Sequence, residues 1–439
     1  MSGVVQPPLV RERLPSGLEV VVARRAGIPL AAIRLLLRAG SALDPPGRAG
    51  LASLVALSAR RGTRRLPGER LDAAVEATGG ELGIGVDEDA AVAGLSVPVG
   101  ELGRSLGLVA DVAATPGLAP AEVARLRRRE VAGLAHDASE PGVLADRALL
   151  RFGYGDHPYG HPSEGLARDL RRTTRAEVVA FHALRWRPSR ATVVLVGPID
   201  VPAALALVRR RFGGWRAAPG GDLEVAPVSR PRDRRVVIVD RPEQGQAQIR
   251  LGFPGLPRAS AEHAAGVVAG AVLGGGFTSR LMEAIRVDRG LSYGVRGRFA
   301  SARAGGLFVV SSFTKVESAG ELVRVALAEL ARFADEGPTA EELDRMRAYL
   351  GGLHPLSLET HEAWAEKLVE VELYGLGPDE VTGFRERLAA VDAAACRALS
   401  ARSFGGEGRL VVAVGPARRL APQLEHLGPV TVVAPGAVM

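Results

Sequence analysis

The chain has 439 residues, a net charge of +7, 47% hydrophobic and 24% charged residues, the proportions of a folded protein too long for one core rather than of a disordered chain. The positive balance does not itself point to nucleic acid: every basic residue except Lys315 and Lys367 is arginine, and runs such as Arg127-Arg128-Arg129 and Arg209-Arg210-Arg211 are interleaved with helical apolar positions, as on solvated helix faces. No stretch approaches ~18 uninterrupted apolar residues, which leaves no helical membrane span, and the single cysteine, Cys396, allows neither an internal disulfide nor a thiolate zinc cluster.

The N-terminus lacks the basic-then-apolar profile of a secretory signal, so the expected location is cytoplasmic, or periplasmic if a leader was removed. Strands are expected at Leu18–Val22, after the turn Pro15-Ser16-Gly17, and at Ala31–Leu37. A helix from about Ala49 to Arg61 is bounded by Pro45-Pro46-Gly47 and Gly62, and a second runs from Gly68 to about Thr78. Two strands (81–86, 90–97) and two longer helical patterns (99–113, 120–151) follow, the last interrupted near Pro141-Gly142. After a turn-rich stretch ending in His157-Pro158-Tyr159-Gly160-His161-Pro162, helix resumes. The first half closes on the apolar strand Ala191–Gly197 and a helix to about Phe212.

The same order of events then recurs. Residues 216–234, rich in Gly, Pro and charge, read as a linker. Beyond it come strands near 236–239 and 248–253, helices near 260–273 and 279–288, strands near 293–300 and 306–312, longer helices, and the closing strand Leu410–Gly415, which echoes Val193–Gly197. The expectation is an α+β protein of two homologous domains, residues 1–215 and 235–439, each a mostly antiparallel sheet with helices on one face.

Two motifs carry chemistry. The run Gly50-Leu51-Ala52-Ser53-Leu54-Val55-Ala56-Leu57-Ser58-Ala59-Arg60-Arg61-Gly62-Thr63 resembles the zinc-binding helix of the pitrilysin/insulinase family of zinc peptidases. In active members that helix carries H-x-x-E-H: two histidines one turn apart bind zinc, and the Glu is the general base. Laid on this sequence the three positions are Ser53, Ala56 and Leu57, none of which can hold zinc or take a proton from water. The family's third ligand would fall near Gly133-Leu134, with only Glu130 close by. His161-Pro162-Ser163-Glu164-Gly165 and His361-Glu362-Ala363-Trp364-Ala365 each begin like a zinc motif and lack its second histidine. No metal is expected in this chain.

The second motif, Gly274-Gly275-Gly276-Phe277-Thr278-Ser279-Arg280-Leu281-Met282-Glu283-Ala284-Ile285-Arg286 continuing to Gly290-Leu291-Ser292-Tyr293-Gly294, resembles the same family's arginine/tyrosine motif. Thr278 or Ser279 can cap a helix that Gly290 ends, bringing a guanidinium and a phenol together near the start of a strand. The resemblance implies that Arg286 and Tyr293 hold substrate carbonyls and help to stabilise a tetrahedral oxyanion. The plainer reading pairs Arg286 with Asp288 or Glu283 and makes Tyr293 a sheet aromatic. Gly274, Gly275 and Gly276 read equally as a turn or as a peptide-contacting loop, as in the non-catalytic subunit of the mitochondrial processing peptidase. His157-Pro158-Tyr159-Gly160 and Arg185-Trp186-Arg187-Pro188 match further family marks and read as architectural.

The resemblance therefore implies a metal-free subunit of the type found in that peptidase and its bacterial relatives. Its partner would be a homologous catalytic subunit with an intact inverted motif and zinc, and its substrate an unfolded peptide added as an extra strand at a sheet edge. Neither nucleic acid nor membrane is expected as a partner; in isolation a homodimer is open to it. The alternative is a structural scaffold, as in the core proteins of the respiratory cytochrome complex.

Overall fold

The computed structural model describes residues 4–216, 224–229, 233–406 and 408–439. Of the expected linker, residues 217–223 and 230–232 lie outside the described residues.

In the first half the elements are β1 (Leu9–Arg13), β2 (Glu19–Arg24), β3 (Leu30–Leu37), α1 (Leu51–Arg60), α2 (Glu69–Glu76), β4 (Gly83–Val86), β5 (Ala91–Pro98), α3 (Leu102–Ala114), α4 (Pro120–Asp137), α5 (Pro141–Tyr154), α6 (Ala167–Arg172), α7 (Arg175–Arg185), β6 (Ala191–Gly197) and α8 (Val201–Phe212). In the second they are β7 (Arg234–Asp240), β8 (Gln246–Pro254), α9 (His263–Gly274), α10 (Arg280–Met282, continuing as a π-helical turn over Glu283–Val287), β9 (Val295–Ser301), β10 (Gly306–Lys315), α11 (Ala319–Glu336), α12 (Ala340–Leu356), α13 (His361–Tyr374), α14 (Phe384–Ala390), α15 (Ala393–Phe404), β11 (Arg409–Gly415), α16 (Ala417–Leu424) and β12 (Val430–Val433).

The strands form two six-stranded sheets, β1-β2-β6-β3-β5-β4 and β12-β7-β11-β8-β10-β9. Most pairs are antiparallel; β2 with β6, β7 with β11 and β7 with β12 are parallel. The fold is thus the α+β duplication expected, with two additions at sheet edges, β1 and β12. Both are short: β1 reads LVRER and is largely exposed, and β12, VTVV, covers only four residues.

Contacts divide the chain into two compact units that are not contiguous in sequence. The first takes Met1–Gly133, Pro162–Glu224 and His354–Thr382; the second takes Leu134–His161, Val225–Leu353 and Gly383–Met439. Each unit therefore uses one helix from the other half of the chain, α13 in the first and α5 in the second. The strands were expected to carry helices on one face only, and here a correction is needed, because the exchanged helix packs on the second face. In the first unit Ala32 and Leu36 of β3 pack with Trp364, Ala365 and Leu368 of α13, while the period of two sends Ile33, Leu35 and Leu37 to the opposite, equally buried face. In the second, Val412 and Val414 of β11 pack with Leu144, Ala148 and Leu149 of α5.

A buried arginine ties each exchanged helix to its sheet. Arg34 on β3 donates to the Ile33 carbonyl at 3.0 Å and to Glu366 of α13 at 3.3 Å. Arg250 on β8 donates to the Ile249 carbonyl at 3.0 Å and to Asp146 of α5 at 2.6 Å. The duplication thus reaches individual side chains.

Candidate functional site

In the first unit, α1 is built as a buried helix. Leu51, Leu54 and Val55 are sequestered, and Ala52, Ala56 and Ala59 are small enough to sit close to their neighbours. Its N-terminus is capped from outside the helix: the Asp44 carboxylate accepts from the backbone N–H of Gly50 and of Ala52, both at 2.7 Å, and Asp169 accepts from Ala49 N at 3.2 Å. At the other end Arg60 donates to the Leu82 carbonyl and to Asp72, each at 2.6 Å, setting a cation where the helix dipole is negative. Burial pushes the Asp44 carboxyl up to about 7, against the pull of the N–H groups of Ala52, Gly50 and Leu51, and the charge of Asp169 adds to the rise.

None of the three positions laid on the inverted motif presents a free ligand group. Ser53 donates its hydroxyl to the Ser163 carbonyl at 2.6 Å; Ala56 is buried and Leu57 half-buried. Glu130 is paired with its neighbour Arg129 at 2.9 Å. His361 is a structural group: Arg25 donates to its Nδ1 at 3.1 Å, leaving Nε2–H to donate to the Ile28 carbonyl at 3.2 Å. Among the described residues no cluster of three or more His, Cys, Asp or Glu side chains could hold a metal ion.

The second unit presents the other arrangement. Gly274, the last residue of α9, is buried against β9: a Cβ there would lie 2.1 Å from the Gly297 backbone nitrogen, so only glycine permits this approach. Gly275 and Gly276 are exposed, and a Cβ on Gly276 would meet nothing. Ser279 sits at the helix start, but its hydroxyl donates to the Gly276 carbonyl at 2.6 Å rather than capping the helix. Arg280 then anchors the segment: it donates to both carboxylate oxygens of Glu342 at 2.7 Å and to the Gly337 carbonyl at 2.9 Å, with its guanidinium 5.1 Å from the Phe333 ring. Hydrogen bonding to Arg280 helps to lower the Glu342 carboxyl against its burial. The helix continues as the π turn and ends at Gly290, whose φ of +59° is the left-handed conformation glycine adopts at no steric cost.

The π turn presents Arg286, and π turns inside helices recur at functional positions. Its guanidinium lies 4.5 Å from the centre of the Tyr293 ring and 5.3 Å from that of Phe277, a cation held between two aromatic faces. Both rings are open to solvent, Tyr293 76% and Phe277 75% exposed. Asp288 pairs with Arg289 instead, and among the described residues Arg286 has neither an ion pair nor a hydrogen bond; its N–H groups are uncommitted. The turn that carries Tyr293 is fixed from below: Ser312 donates to the Gly294 carbonyl at 2.9 Å, and Thr314 to the Leu291 carbonyl at 2.6 Å. The structure thus brings Arg286 and Tyr293 together as the motif implied, with β9 starting two residues after Tyr293.

Three contributors were not read from the sequence. Phe277 follows the glycines and could have been noticed as a lone aromatic in an exposed turn. The Arg280–Glu342 pair spans 62 residues, and no local pattern announces it. Asp44 precedes Pro45-Pro46 and caps α1 from six to eight residues away, beyond the spacing of an ordinary N-cap.

Two duplicated α+β units, one holding a zinc-helix framework without ligands and the other an arginine/tyrosine turn, define a peptidase-like protein of the inverted-motif class. Residues 19–164 match the family model described as insulinase (peptidase family M16), and residues 172–350 match the model described as peptidase M16 inactive domain. The chain belongs to the M16 peptidase family. An uncharacterized zinc protease of Mycobacterium tuberculosis is 29% identical over 371 residues, covering 83% of this chain and 84% of that protein. A non-peptidase homolog of Helicobacter pylori is 24% identical over 342 residues, covering 76% and 77%. Among solved structures, a peptidase M16 inactive domain from Pseudomonas fluorescens superposes with a TM-score of 0.88 at 25% identity, over 93% of this chain and 98% of that one. The inactive-domain match supports a non-catalytic member of the family. No described helix is long and apolar enough to cross a membrane.

Proposed function

We propose that this chain is the metal-free subunit of a heteromeric zinc peptidase, lending Arg286 and Tyr293 to a homologous partner that carries H-x-x-E-H and the zinc. The observation that carries this reading is the uncommitted guanidinium of Arg286, held between Phe277 and an exposed Tyr293. A cation with neither an ion pair nor a hydrogen bond among the described residues, fixed by rings that leave its N–H groups free, is preorganised to receive a peptide carbonyl or the oxyanion formed from it. The partner supplies the zinc-activated water, which Ser53, Ala56 and Leu57 cannot; an unfolded peptide in extended form is the substrate, and Gly275 and Gly276 lie beside it as exposed backbone.

The test mixes this chain with an M16 chain bearing the intact motif. Peptide hydrolysis is expected only from the mixture. Arg286→Ala is expected to lower turnover by about a hundredfold, the scale of losing one oxyanion donor, with the complex intact by gel filtration; Tyr293→Phe should lower it less. Unchanged kinetics in both variants would sink the assignment. A second reading, a non-enzymatic peptide-binding or structural scaffold, draws support from the likeness to the Helicobacter pylori non-peptidase homolog. It is favoured if the complex forms and the mixture hydrolyses nothing.

A further inference from the structure

The register of the duplicated sheets provides an internal control. In the first unit Arg34 of β3 lies opposite Gly94 of β5, which lies opposite Gly83 of β4; one step along the same face, Val92 lies opposite Gly85. In the second, Arg250 of β8 lies opposite Ser311 of β10, which lies opposite Arg296 of β9, and Val309 lies opposite Arg298. Residues directly opposite share a face. By this register Gly83 corresponds to Arg296 and Gly85 to Arg298, each pair on the outermost strand of its sheet. Where one unit has two bare glycines, the other has two exposed arginines. Among the described residues neither Arg296 nor Arg298 makes a side-chain hydrogen bond or an ion pair.

Two ordinary explanations fail on this comparison. The fold does not require arginine there, because the equivalent strand is built with glycine. Charges on an outer strand can guard against edge-to-edge aggregation, but a guard would be needed on β4 as much as on β9, and β4 has none at these positions. What remains is a pair of arginines on one face of an outermost strand, their Cα atoms about 7 Å apart as alternate residues are, with no counter-charge of their own among the described residues. An added strand presents its alternate side chains at that same spacing.

We infer that the free edge of β9 takes an extended peptide segment with carboxylates at alternate positions, Arg296 and Arg298 each facing one carboxylate while the backbones pair. This deepens the proposed function, on which it rests, by naming an acidic substrate class; the Arg286–Tyr293 turn leads directly into the same strand.

The test uses the full chain alone and short fluorescein-labelled peptides read by anisotropy. A peptide alternating Glu with Val or Thr is expected to bind about tenfold tighter than its Lys counterpart, the scale of two exposed charge contacts changing from attraction to repulsion. The Arg296→Glu/Arg298→Glu double variant should reverse that preference, and Arg296→Gln/Arg298→Gln should abolish it; unchanged thermal unfolding of either variant shows that the fold persists. N-methylation of the peptide's strand-facing amides should remove binding. The inference is overturned if a peptide with contiguous glutamates or inorganic polyphosphate binds as well and N-methylation has no effect, since the arginines then attract any polyanion. It is equally overturned if the variants leave the Glu/Lys preference unmoved. Such a failure, with the Arg286 and Tyr293 effects retained in the paired peptidase assay, would remove the acidic substrate class and leave the two-subunit reading standing.

Discussion

The α1 helix and the Arg286 turn each match a motif of the family, and they treat their polar groups in opposite ways. Around α1 the polar groups at and beside the motif positions are bonded within the fold, although the buried Ser58 hydroxyl is not: Ser53 is bonded to Ser163, Asp44 and Asp169 to backbone N–H groups, Arg60 to Leu82 and Asp72. Around Arg286 the structural duties are delegated to others, Arg280 and Glu342 fixing the helix and Ser312 and Thr314 the turn, so that among the described residues the N–H groups of Arg286 make no hydrogen bond. A residue whose donors are already satisfied contributes to folding; one whose donors are held in place and unsatisfied is available for a ligand. The difference separates a helix whose bonded polar groups serve the fold from a turn whose guanidinium is held by exposed rings.

The comparison can be broken most forcefully at Ala56, which is 1% exposed. Rebuilding the inverted motif as Ser53→His, Ala56→Glu and Leu57→His puts a carboxylate into that buried position with no third ligand to complete a zinc site. The triple variant is expected to lose about 4 kcal/mol of stability, the cost of an uncompensated buried charge, and to hold no stoichiometric zinc after dialysis; urea unfolding and metal analysis check both. Retained stability with bound zinc would show that α1 is still a metal site in waiting.

Glu342→Gln comes next. It takes from the Arg280 guanidinium, whose side chain is 8% exposed, the charge of its hydrogen-bonded carboxylate, and about 3 kcal/mol should be lost. Arg286→Ala, by contrast, gives up only exposed cation–π contact, about 1 kcal/mol at most. If both cost the same in urea unfolding, the division into an anchoring and a free arginine is wrong.

The glycines sharpen the same contrast on a smaller scale. A methyl group on Gly274 must displace the β9 backbone, and Gly274→Ala should cost about 2 kcal/mol, as overpacking does. Gly276→Ala meets open space and should be neutral or slightly stabilising, because it restricts the unfolded chain. Thermal unfolding of the two variants side by side decides whether one position serves packing and the other does not.

Much of this was legible in the sequence, for identifiable reasons. The elements announced themselves wherever a single period dominated: Ala31–Leu37 and Leu410–Gly415 are apolar strands, and the helix Leu51–Arg60 has breakers on both sides. The repeated order of elements disclosed the duplication, and the spacing from Gly274 to Tyr293 disclosed the arginine/tyrosine turn. The exchange of α5 and α13 was not legible, because the apolar stripe of a helix says that one face is buried and not which sheet buries it. Nor was the pairing of Arg280 rather than Arg286 with a carboxylate. Both arginines stand in the same motif, and only the fold brings Glu342 to one of them.

The most gradual expected effect concerns pH, and it tests whether Asp44 belongs wholly to the scaffold. Burial raises this carboxyl from an ordinary value of 3.8 to about 7 in the folded chain. Between those two values the folded state holds a proton that the unfolded state has released, so the folded state binds more protons and stability falls as pH rises. The penalty is absent below about pH 4 and complete above about pH 7. Other groups titrate in the same window, and the difference between the parent and Asp44→Asn isolates this one: it should shift against the parent between pH 4.5 and 7 by at most about 1.4 kcal/mol per pH unit, and be flat above. Urea unfolding at several pH values measures it. A flat difference throughout would mean that the N–H groups of Gly50, Leu51 and Ala52 hold Asp44 ionised, and that the cap of α1 is a fixed charge at the positive end of the helix dipole.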